Sequence, residues 1–378
     1  MKQYLDFNAT TPVNEETAKL MHNYLVNDFA NAGSRSHESG ALAKKTVLNA
    51  RKQIAKICSI DTSEIIFTSG ATESNNIALF GLLEHAKKIG KNHIISTSIE
   101  HKAILDPLKE IENRGFEVTL IDPDSSGHVD VQEIIKSITS NTFLISCMHA
   151  NNETGSINNI SLIGRLAKEI DSEIFIHSDC AQTFAKTDLD FNDPSIDMIS
   201  FSGHKFFGPK GVGGLVMRKR DGMSLPLKPI MYGGGQERGL RPGTQPVHLI
   251  AGVGLAAELA YSERQNWTEK CLKIKDKALK TFNSKGTIIY GGVGSETLPN
   301  TLFISFGTHA ESVIICLKNI AEIATGSACT SESYTPSHVL TAMGVDEDQA
   351  KKVVRLSWGP DTDPNVFQEI KEALEILR

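Results

Sequence analysis

Short apolar runs alternate with amphipathic stretches between about residues 60 and 220. Runs rich in β-branched residues predict strands at 65–68, 93–97, 117–121, 143–148, 174–178, 198–201 and 214–217. Stretches 74–88, 102–114 and 160–170 between them have apolar residues at helical spacing. This alternation predicts an α/β fold with a mainly parallel sheet covered on both faces. Ligands of such sheets bind at the carboxyl ends of the strands, so the residues that follow each strand are the first candidates for a site.

The pattern changes after Gly243. A long helical stretch, 247–282, leads into a second α+β region with a strand at 302–306 and helices at 311–318 and 364–377. We therefore expect a large domain over residues 15–260. A smaller domain would comprise residues 261–378, with residues 1–14 packed against it.

The composition is typical of soluble globular proteins. Of its 378 residues, 40% are hydrophobic, and 39 basic against 45 acidic residues give a net charge of −6. This balance argues against a nucleic-acid coat protein, and we predict no direct binding of nucleic acid. The amino end lacks the basic start and apolar core of a secretory signal, and the longest apolar run, 249–257, is far below the roughly 20 residues that span a bilayer. A cytoplasmic protein is expected.

The six cysteines are scattered and form no C-x-x-C pair for zinc or redox chemistry. In a reducing compartment most of them should be inert core residues. No metal site is predicted.

The turn after the first predicted strand is rich in small residues and opens a helix. Its sequence is Ser69-Gly70-Ala71-Thr72-Glu73. Main-chain N–H groups, the positive helix end and the Thr72 hydroxyl could together hold a phosphate. An ordinary capped helix explains the same residues. The lysine and spacing of a P-loop are absent, which argues against nucleotide hydrolysis.

Two further strand ends carry groups that complement such a turn. Asp179 stands where a strand ends, so its carboxylate could pair with a cationic ring nitrogen. Lys205 follows a Ser-Gly-His turn and precedes Phe206 and Phe207, an apolar setting that favours a Schiff base. A lone lysine is usually a solvated surface group. The ordered set of phosphate turn, aspartate and lysine is what pyridoxal 5′-phosphate requires.

At this point the chain resembles the cysteine desulfurases, enzymes of the class V aminotransferase fold. The resemblance is carried in order along the chain by segments 5–12, 69–75, 100–102, 151–155, 177–182, 202–205, 233–244 and 327–331. It implies a pyridoxal-phosphate-dependent transferase fold of type I. It also implies conversion of L-cysteine to L-alanine, with the sulfur passing to an enzyme persulfide and then to an acceptor protein.

The resemblance also implies roles for individual residues. Lys205 would bind the cofactor covalently, Asp179 would pair with the pyridine nitrogen and Gln182 with the ring hydroxyl. The phosphate would be held by Ala71, Thr72, Ser202 and His204. His101 would stack on the ring and act in proton transfers; a capping or surface histidine is the alternative explanation of that residue. Asn152 and Arg355 would bind the substrate carboxylate, for which the arginine fork is well suited.

Two residues in glycine-rich or small-residue segments complete the implied set. Thr244 would contact the cofactor phosphate of a neighbouring subunit, so the active unit would be a homodimer. Cys329, in a Ser-Ala-Cys-Thr-Ser run, would be the sulfur acceptor of the family branch with a long catalytic loop. No lysine or arginine lies within that run, so any lowering of the thiol pKa must come from elsewhere in the fold.

Departures from the family pattern occur at residues 31–34, at Cys180 and at Trp358. None removes a chemical group. Other readings stay open: a selenocysteine lyase or another class V aminotransferase would share Lys205 and Asp179, and a non-catalytic sulfur carrier could keep the fold. The sequence leaves the acceptor open among iron-sulfur cluster assembly, tRNA thiolation and DNA phosphorothioation.

Overall fold

The computed structural model describes residues 2–187, 191–325 and 336–377. In these residues the strands are β1 (Gln3–Tyr4), β2 (Ile65–Thr68), β3 (His93–Thr97), β4 (Glu117–Ile121), β5 (Thr142–Ser146), β6 (Phe175–Asp179), β7 (Met198–Ser202), β8 (Gly213–Met217), β9 (Ile288–Tyr290), β10 (Thr301–Ser305), β11 (Ala321–Glu322), β12 (Ala324–Thr325) and β13 (Val353–Ser357). The helices are α1 (Glu15–Val26), α2 (Glu38–Cys58), α3 (Ala71–Gly81), α4 (Leu83–Lys88), α5 (Lys102–Asn113), α6 (Val131–Lys136), α7 (Ile160–Ile170), α8 (Val247–Phe282), α9 (Ala310–Cys316), α10 (His338–Ala342), α11 (Glu347–Ala350) and α12 (Val366–Leu374). Short 3-10 helices lie at Thr62–Glu64, Gly203–Lys205, Gln236–Gly239 and Glu375–Leu377.

Seven of the described strands form the main sheet, in the order β2-β8-β7-β6-β5-β3-β4. The pairs β7–β6, β6–β5, β5–β3 and β3–β4 are parallel, whereas β8 runs antiparallel to both of its neighbours. The α/β fold with a mainly parallel sheet is thus confirmed. Each of the seven predicted strands is present, with ends that differ by at most two residues.

Helices cover both faces of this sheet. On one face, α3 and α5 contribute Ile77 and Leu108 to a core that includes alternate strand residues such as Ile94. On the other face, residues such as Ile54 of α2 and Ile163 of α7 pack against the remaining strand positions. Burial on both faces explains why these strands read as continuous apolar runs.

The predicted helix 74–88 is wrong in one respect, because the chain forms two helices, α3 and α4, that meet at Leu82. The carbonyl of Gly81 accepts a 2.9 Å hydrogen bond from the main-chain nitrogen of Lys228. That carbonyl lies against a passing segment, and a Cβ atom at Gly81 would stand 3.1 Å from both Leu227 and Lys228. The tertiary contact therefore accompanies the break.

Helix α8 links two hydrophobic cores over about 54 Å at 1.5 Å per residue. Its first half places Ile250 and Val253 in the core beneath the main sheet. Its second half places Trp267 and Ile274 in a core shared with β10, β13 and α12. We keep as a proposal the predicted division of the chain near residue 260. Within the described ranges, no helix has the length and apolar character needed to cross a membrane.

The amino-terminal segment joins this second region. Strand β1 pairs in parallel with β11, Asp6 bridges to Ser357, and Leu5 is fully buried in the second core. Strands β12, β13, β10 and β9 form an antiparallel sheet beside it. The departure at Trp358 fits here: its fully buried indole donates a 3.1 Å hydrogen bond to the carbonyl of Cys271.

Candidate active site

A cavity of about 580 Å³ lies at the carboxyl ends of β2, β3, β5, β6 and β7. It is lined by nearly all of the residues that the sequence predicts for the site: Ala71, Thr72, His101, Asn152, Asp179, Gln182, Ser202, His204, Lys205 and Arg355. These residues come from segments up to 284 positions apart, from Ala71 to Arg355. The two predicted site residues outside this lining are Thr244 and Cys329, and Cys329 lies outside the described residues.

Lys205 is held by the amino-terminal segment. Its Nζ atom donates hydrogen bonds to the main-chain carbonyls of Asn8 and Ala9, at 2.5 and 3.0 Å. The two aromatic neighbours, expected to enclose the amine, pack elsewhere: Phe206 is buried against other phenyl rings, and Phe207 packs against Phe7. Contact with the amine thus comes from carbonyl oxygens nearly 200 positions away, which no local pattern around Lys205 could indicate.

The Asp179 carboxylate is oriented on both oxygens. Asn75 of α3 donates to Oδ2 at 2.8 Å, and the main-chain nitrogen of Ala181 donates to Oδ1 at 2.9 Å. Gln182 donates from Nε2 to the carbonyl of Asn8 at 3.0 Å. This bond fixes the amide orientation, because a carbonyl oxygen can only accept. The remaining oxygen, Oε1 of Gln182, is buried and has no protein partner.

The first turn of α3 faces the same cavity. Gly70 offers no side-chain cap to this helix, and the Ala71 nitrogen donates to Oγ of Ser202 at 2.8 Å. Gly213 on β8 allows this approach, since a Cβ atom there would lie 2.7 Å from Cα of Gly70. His204 bonds Thr10 at 3.1 Å through Nδ1, and burial lowers the pKa of its imidazole to about 4. The group is therefore an uncapped helix start beside a hydroxyl and a neutral imidazole.

Arg355 lies opposite, buried to 5% exposure. Its guanidinium donates to the Asp6 carboxylate at 2.5 Å and to the carbonyl of Asn152 at 3.1 Å. Its Nε atom is buried without a partner. A cation tethered by an acid on one arm, with donors remaining, can bind a carboxylate that enters the cavity. Asp6 belongs to segment 5–12, but its pairing with Arg355 is not predicted from the sequence.

His101 is both a helix cap and a lining residue of the cavity. Its Nδ1 atom accepts a 3.1 Å hydrogen bond from the Ala103 nitrogen at the start of α5. The alternative of a capping histidine therefore holds for Nδ1, while Nε2 makes no hydrogen bond to this cap. Burial is the main cause that lowers the pKa of His101; nearby Lys205 and His338 lower it further, whereas Asp179 opposes them.

Glu153, Ser337 and His338 line the cavity without having been predicted. The Ser337 hydroxyl donates to the buried Glu153 carboxyl at 2.5 Å. Burial raises the pKa of Glu153 to about 7, against the opposing effect of Ser337 and Arg355. Glu153 lies inside segment 151–155, so the family motif could have indicated it. No motif in the sequence indicates Ser337 or His338.

The glycine-rich loop that contains Thr244 is fixed by buried charges. Glu237 accepts two 2.8 Å hydrogen bonds from Arg51 and one of 2.9 Å from the Phe67 nitrogen. These contacts hold Glu237 itself at φ 43°, a strained value for a side chain other than glycine. Thr244 itself is exposed.

The described cysteines are poor candidates for a reactive thiol. Cys58, Cys147, Cys180 and Cys271 are buried, and burial raises the pKa of Cys180 to about 12. Cys316 is half-buried and its thiol bonds the carbonyl of Ala373 at 3.3 Å. None of them lines the cavity. The described part of the chain also contains no cluster of three or more residues able to hold a metal ion.

Pyridoxal 5′-phosphate, the group implied by the resemblance, fits these residues. The orphaned Oε1 of Gln182 can accept from a ring hydroxyl, and the oriented Asp179 carboxylate can accept from a protonated ring nitrogen. The uncapped start of α3 suits a phosphate. An amine, Lys205, lies in the same cavity. Every polar feature of the cofactor thus has a matching group.

Comparison with known proteins agrees with this chemistry. The family model for aminotransferase class-V matches residues 3–368. The cysteine desulfurase IscS of Vibrio cholerae serotype O1 is 40% identical over 378 residues, which cover 99% of this chain and 91% of the relative. Among solved structures, a NifS-like protein is 36% identical with a TM-score of 0.92, covering 100% of this chain and 99% of its own. SspA in complex with cysteine is 38% identical with a TM-score of 0.82, covering 96% of this chain and 100% of its own. The chain belongs to the class V aminotransferase family and, within it, to the cysteine desulfurases.

Proposed function

We propose that the cavity around Lys205 is where this cysteine desulfurase converts L-cysteine to L-alanine, with Cys329 taking the sulfur as a persulfide. One observation carries the assignment. Residues predicted separately for cofactor and for substrate binding, on segments far apart in sequence, line a single cavity. A non-catalytic protein that kept only the fold would not need the cofactor-binding and the substrate-binding residues in one cavity.

Pyridoxal 5′-phosphate, the cofactor of this family, supplies an electron sink when bound. On this chain Lys205 would hold it covalently and Asp179 would accept from its ring nitrogen. The Gln182 oxygen would accept from its hydroxyl group. Its phosphate would bind at the start of α3, between the Ala71 and Thr72 main chain and the side chains of Ser202 and His204.

The substrate carboxylate would bind Arg355 and Asn152. Support comes from the Arg355 guanidinium, which is buried, faces the cavity and is held by Asp6 in one direction. The solved structure of SspA in complex with cysteine shows that a protein of this fold binds this amino acid. An arginine on the carboxylate would orient the amino group of the substrate toward Lys205 across the cavity.

His101 would donate a hydrogen bond from Nε2 and take part in proton transfers. The bond from Ala103 to Nδ1 supports this, because it places the proton of the neutral ring on Nε2. The same bond fixes the ring plane relative to α5. Lys205, once released by the substrate, would be the second group available to move a proton.

Cys329 would be the nucleophile toward the substrate sulfur. The described cysteines are buried in cores or bonded to main-chain carbonyls, which leaves them unsuited to this role. Pro336, seven residues after Cys329 in the chain, lines the cavity. The product sulfur would stay on Cys329 until an acceptor protein takes it.

A homodimer would complete the site. Thr244 is exposed and lies apart from the cavity of its own chain, as expected for a residue that serves a partner's cofactor phosphate. Large apolar side chains are also exposed on this chain, among them Phe29 at 76% and Tyr232 at 85%. We further propose that the enzyme is cytoplasmic and passes its sulfur to an acceptor protein.

A substrate panel tests the assignment. The purified protein would be given L-cysteine, L-selenocysteine, or an amino acid with a keto-acid partner, and alanine, sulfide, selenide and keto acid would be measured. A desulfurase forms alanine from L-cysteine and requires Cys329. Faster alanine formation from selenocysteine without Cys329 would indicate a selenocysteine lyase, keto-acid formation an aminotransferase, and absence of turnover a sulfur carrier.

A further inference from the structure

The cavity contains a buried acid, Glu153, that the roles above leave unused. Its side chain is 5% exposed, and Oε2 of its carboxyl accepts a 2.5 Å hydrogen bond from the Ser337 hydroxyl. The second oxygen, Oε1, has no hydrogen-bond partner among the described residues and still keeps some contact with solvent. Because Glu153 lines the cavity, Oε1 is the oxygen that a bound ligand can reach.

The main chain of Glu153 is fixed beside Arg355. The nitrogens of Glu153 and Thr154 donate to Oδ1 of Asn151, at 2.8 and 3.0 Å. The carbonyl of Asn152 belongs to the peptide bond that leads into Glu153, and it accepts the 3.1 Å hydrogen bond from the Arg355 guanidinium. One turn of the chain therefore contacts the guanidinium and carries the carboxyl.

Arg355 already has one acidic partner in the cavity. The Asp6 carboxylate accepts from its guanidinium, and this ion pair is largely buried. A carboxylate that enters the cavity would be a second negative charge beside this one cation, and an ionised Glu153 would be a third. Charges of the same sign repel strongly in a poorly solvated site. The arrangement therefore favours a neutral Glu153 when a carboxylate is bound.

The surroundings give Glu153 a proton affinity suited to such a change near neutral pH. Burial is the main cause that raises its pKa to about 7, whereas the Ser337 hydroxyl and Arg355 lower it. The carboxyl is thus mostly protonated below pH 7 and mostly ionised above it. The charged and titratable groups that line the same cavity are Asp6 of the amino-terminal segment, His101 and Lys102 at the start of α5, Asp179 of β6, Lys205, His338 of α10 and Arg355 of β13.

The Ser337 hydroxyl determines which oxygen of Glu153 carries the acidic proton. This hydroxyl accepts from the nitrogens of Val339 and Leu340, at 3.2 and 3.3 Å, so its single proton is free to go to Oε2 of Glu153. An oxygen that accepts this bond is the poorer place for the acidic proton. A protonated Glu153 therefore presents its O–H group at Oε1, toward the cavity.

We propose that Glu153 is a further substrate-binding residue, which takes up a proton from solvent and donates a hydrogen bond from Oε1 to the substrate carboxylate; this rests on the proposed role of Arg355. The carboxylate is then bound by a cation and by a neutral donor. Binding of the carboxylate and uptake of the proton are linked, so each strengthens the other. A purely structural Glu153, ionised and bonded only to Ser337, would take up no proton.

Propionate is a suitable probe because it has the carbon chain and carboxylate of alanine and no amino group that could react with the cofactor. Its dissociation constant from the purified holoenzyme would be measured by titration calorimetry from pH 6 to pH 8.5. Measurements in two buffers of different ionisation enthalpy give the number of protons taken up on binding. Glu153→Gln keeps a hydrogen-bond donor that does not titrate, and Glu153→Ala removes the donor. Glu112→Gln, at an exposed position of α5, is the control.

For the wild type and the control we expect the dissociation constant to rise about 10-fold between pH 7 and pH 8.5, because the binding form loses its proton over this range. Close to one proton should be taken up per site at pH 8. Glu153→Gln should take up none and should bind about 10-fold more tightly than the wild type at pH 8.5. Glu153→Ala should bind about 10-fold more weakly than the wild type at pH 6, where the donor is lost.

Ser337→Ala gives a test that leaves Glu153 in place. The lost hydroxyl lowers the pKa of Glu153, so its removal should move the rise of the dissociation constant to higher pH. Equal proton uptake in the wild type and in Glu153→Gln would overturn the proposal, since another group would then be titrating. A wild-type dissociation constant that does not change with pH would overturn it as well.

Failure of the proposed function is a separate result. Propionate that binds Arg355→Gln as tightly as the wild type would show that the carboxylate does not bind at Arg355. Propionate that does not bind the wild type at pH 6 would contradict the carboxylate site and, with it, the role of Glu153.

Discussion

Asn75 holds the carboxylate of Asp179 by a 2.8 Å hydrogen bond from its side-chain amide. The two residues lie on different elements, α3 and β6, so the bond ties the helix start that would bind the phosphate to the strand end that would bind the ring nitrogen. Both residues are buried, at 0% and 5% exposure. The two anchor points of the cofactor are therefore one connected unit.

Asn75→Ala should weaken cofactor binding about 10-fold or more, since a hydrogen bond to a charged group contributes about 1.5–3 kcal/mol. The measurement is equilibrium dialysis of cofactor, with the absorbance of the bound form as a second readout. Asn76→Ala on the same helix is the matched control, because the side chain of Asn76 donates to the carbonyl of Thr72, at 2.9 Å, and not to Asp179. Equal losses in both variants would contradict the assignment.

Lys205→Ala should abolish turnover and the covalent attachment of cofactor that borohydride reduction makes permanent. Among the described residues, Lys102 is the one other lysine that lines the cavity. The reduced adduct should disappear from the peptide map and should not move to Lys102. Lys210→Ala, a change at an exposed position five residues away, should behave as wild type. An adduct that persists on another lysine would show that Lys205 is not the attachment point.

Cys329→Ser should bind cofactor and L-cysteine normally and yet release almost no alanine, because a hydroxyl is a far weaker nucleophile toward sulfur than a thiolate. Mass spectrometry of wild-type enzyme treated with L-cysteine should show one added sulfur on the peptide that contains Cys329. Cys316→Ser serves as the control and should keep its activity. Added sulfur on Cys180 or Cys316, with Cys329→Ser still active, would refute the mechanism.

The buried Glu100 should make stability depend on pH. Burial raises the pKa of its carboxyl from 4.5 to about 8, and Oε2 has no partner. Between these two values the folded state binds more protons than the unfolded state, so the free energy of unfolding falls as the pH rises from about 4.5 to 8. The loss is about 1.4 kcal/mol for each unit of raised pKa.

Glu100→Gln removes this titration. Urea unfolding of the variant and the wild type should therefore show that the variant gains stability relative to wild type between pH 5 and pH 9. Glu110→Gln is the control, since Glu110 lies on the exposed face of α5 beside Arg114. A stability difference that is constant with pH would mean that Glu100 is already ionised in the folded protein.

Local periodicity predicts the parts of the fold that are determined locally. Helix α7 and helix α8 lie where their apolar spacing places them, and the strands of the main sheet are found within two residues of prediction. The break at Leu82 is missed because Lys228, nearly 150 positions later, bonds Gly81. Helices α1 and α2 are also not predicted from the apolar spacing.

The site follows the same division. Strand ends and the resemblance bring Lys205, Asp179 and Arg355 into view, and the structure places them in one cavity. The partners that orient them, Asn8, Asp6 and Asn75, depend on contacts between distant segments, which one sequence does not display. The position of His338 in the cavity is equally hidden from the sequence, because its Nε2 atom contacts the carbonyl of Glu100, which is distant in the chain.

The amino-terminal segment pairs with residues that are synthesised much later. Gln3 pairs with Ala321 and Asp6 with Ser357, yet the carbonyls of Asn8 and Ala9 hold the amine of Lys205. These two pairings can form only after residues 321 and 357 have been synthesised, although the main sheet can form earlier. Because Asn8 and Ala9 lie between these pairings and Lys205, we expect the wall of the cavity that contacts the amine to be completed late in folding, after the main sheet.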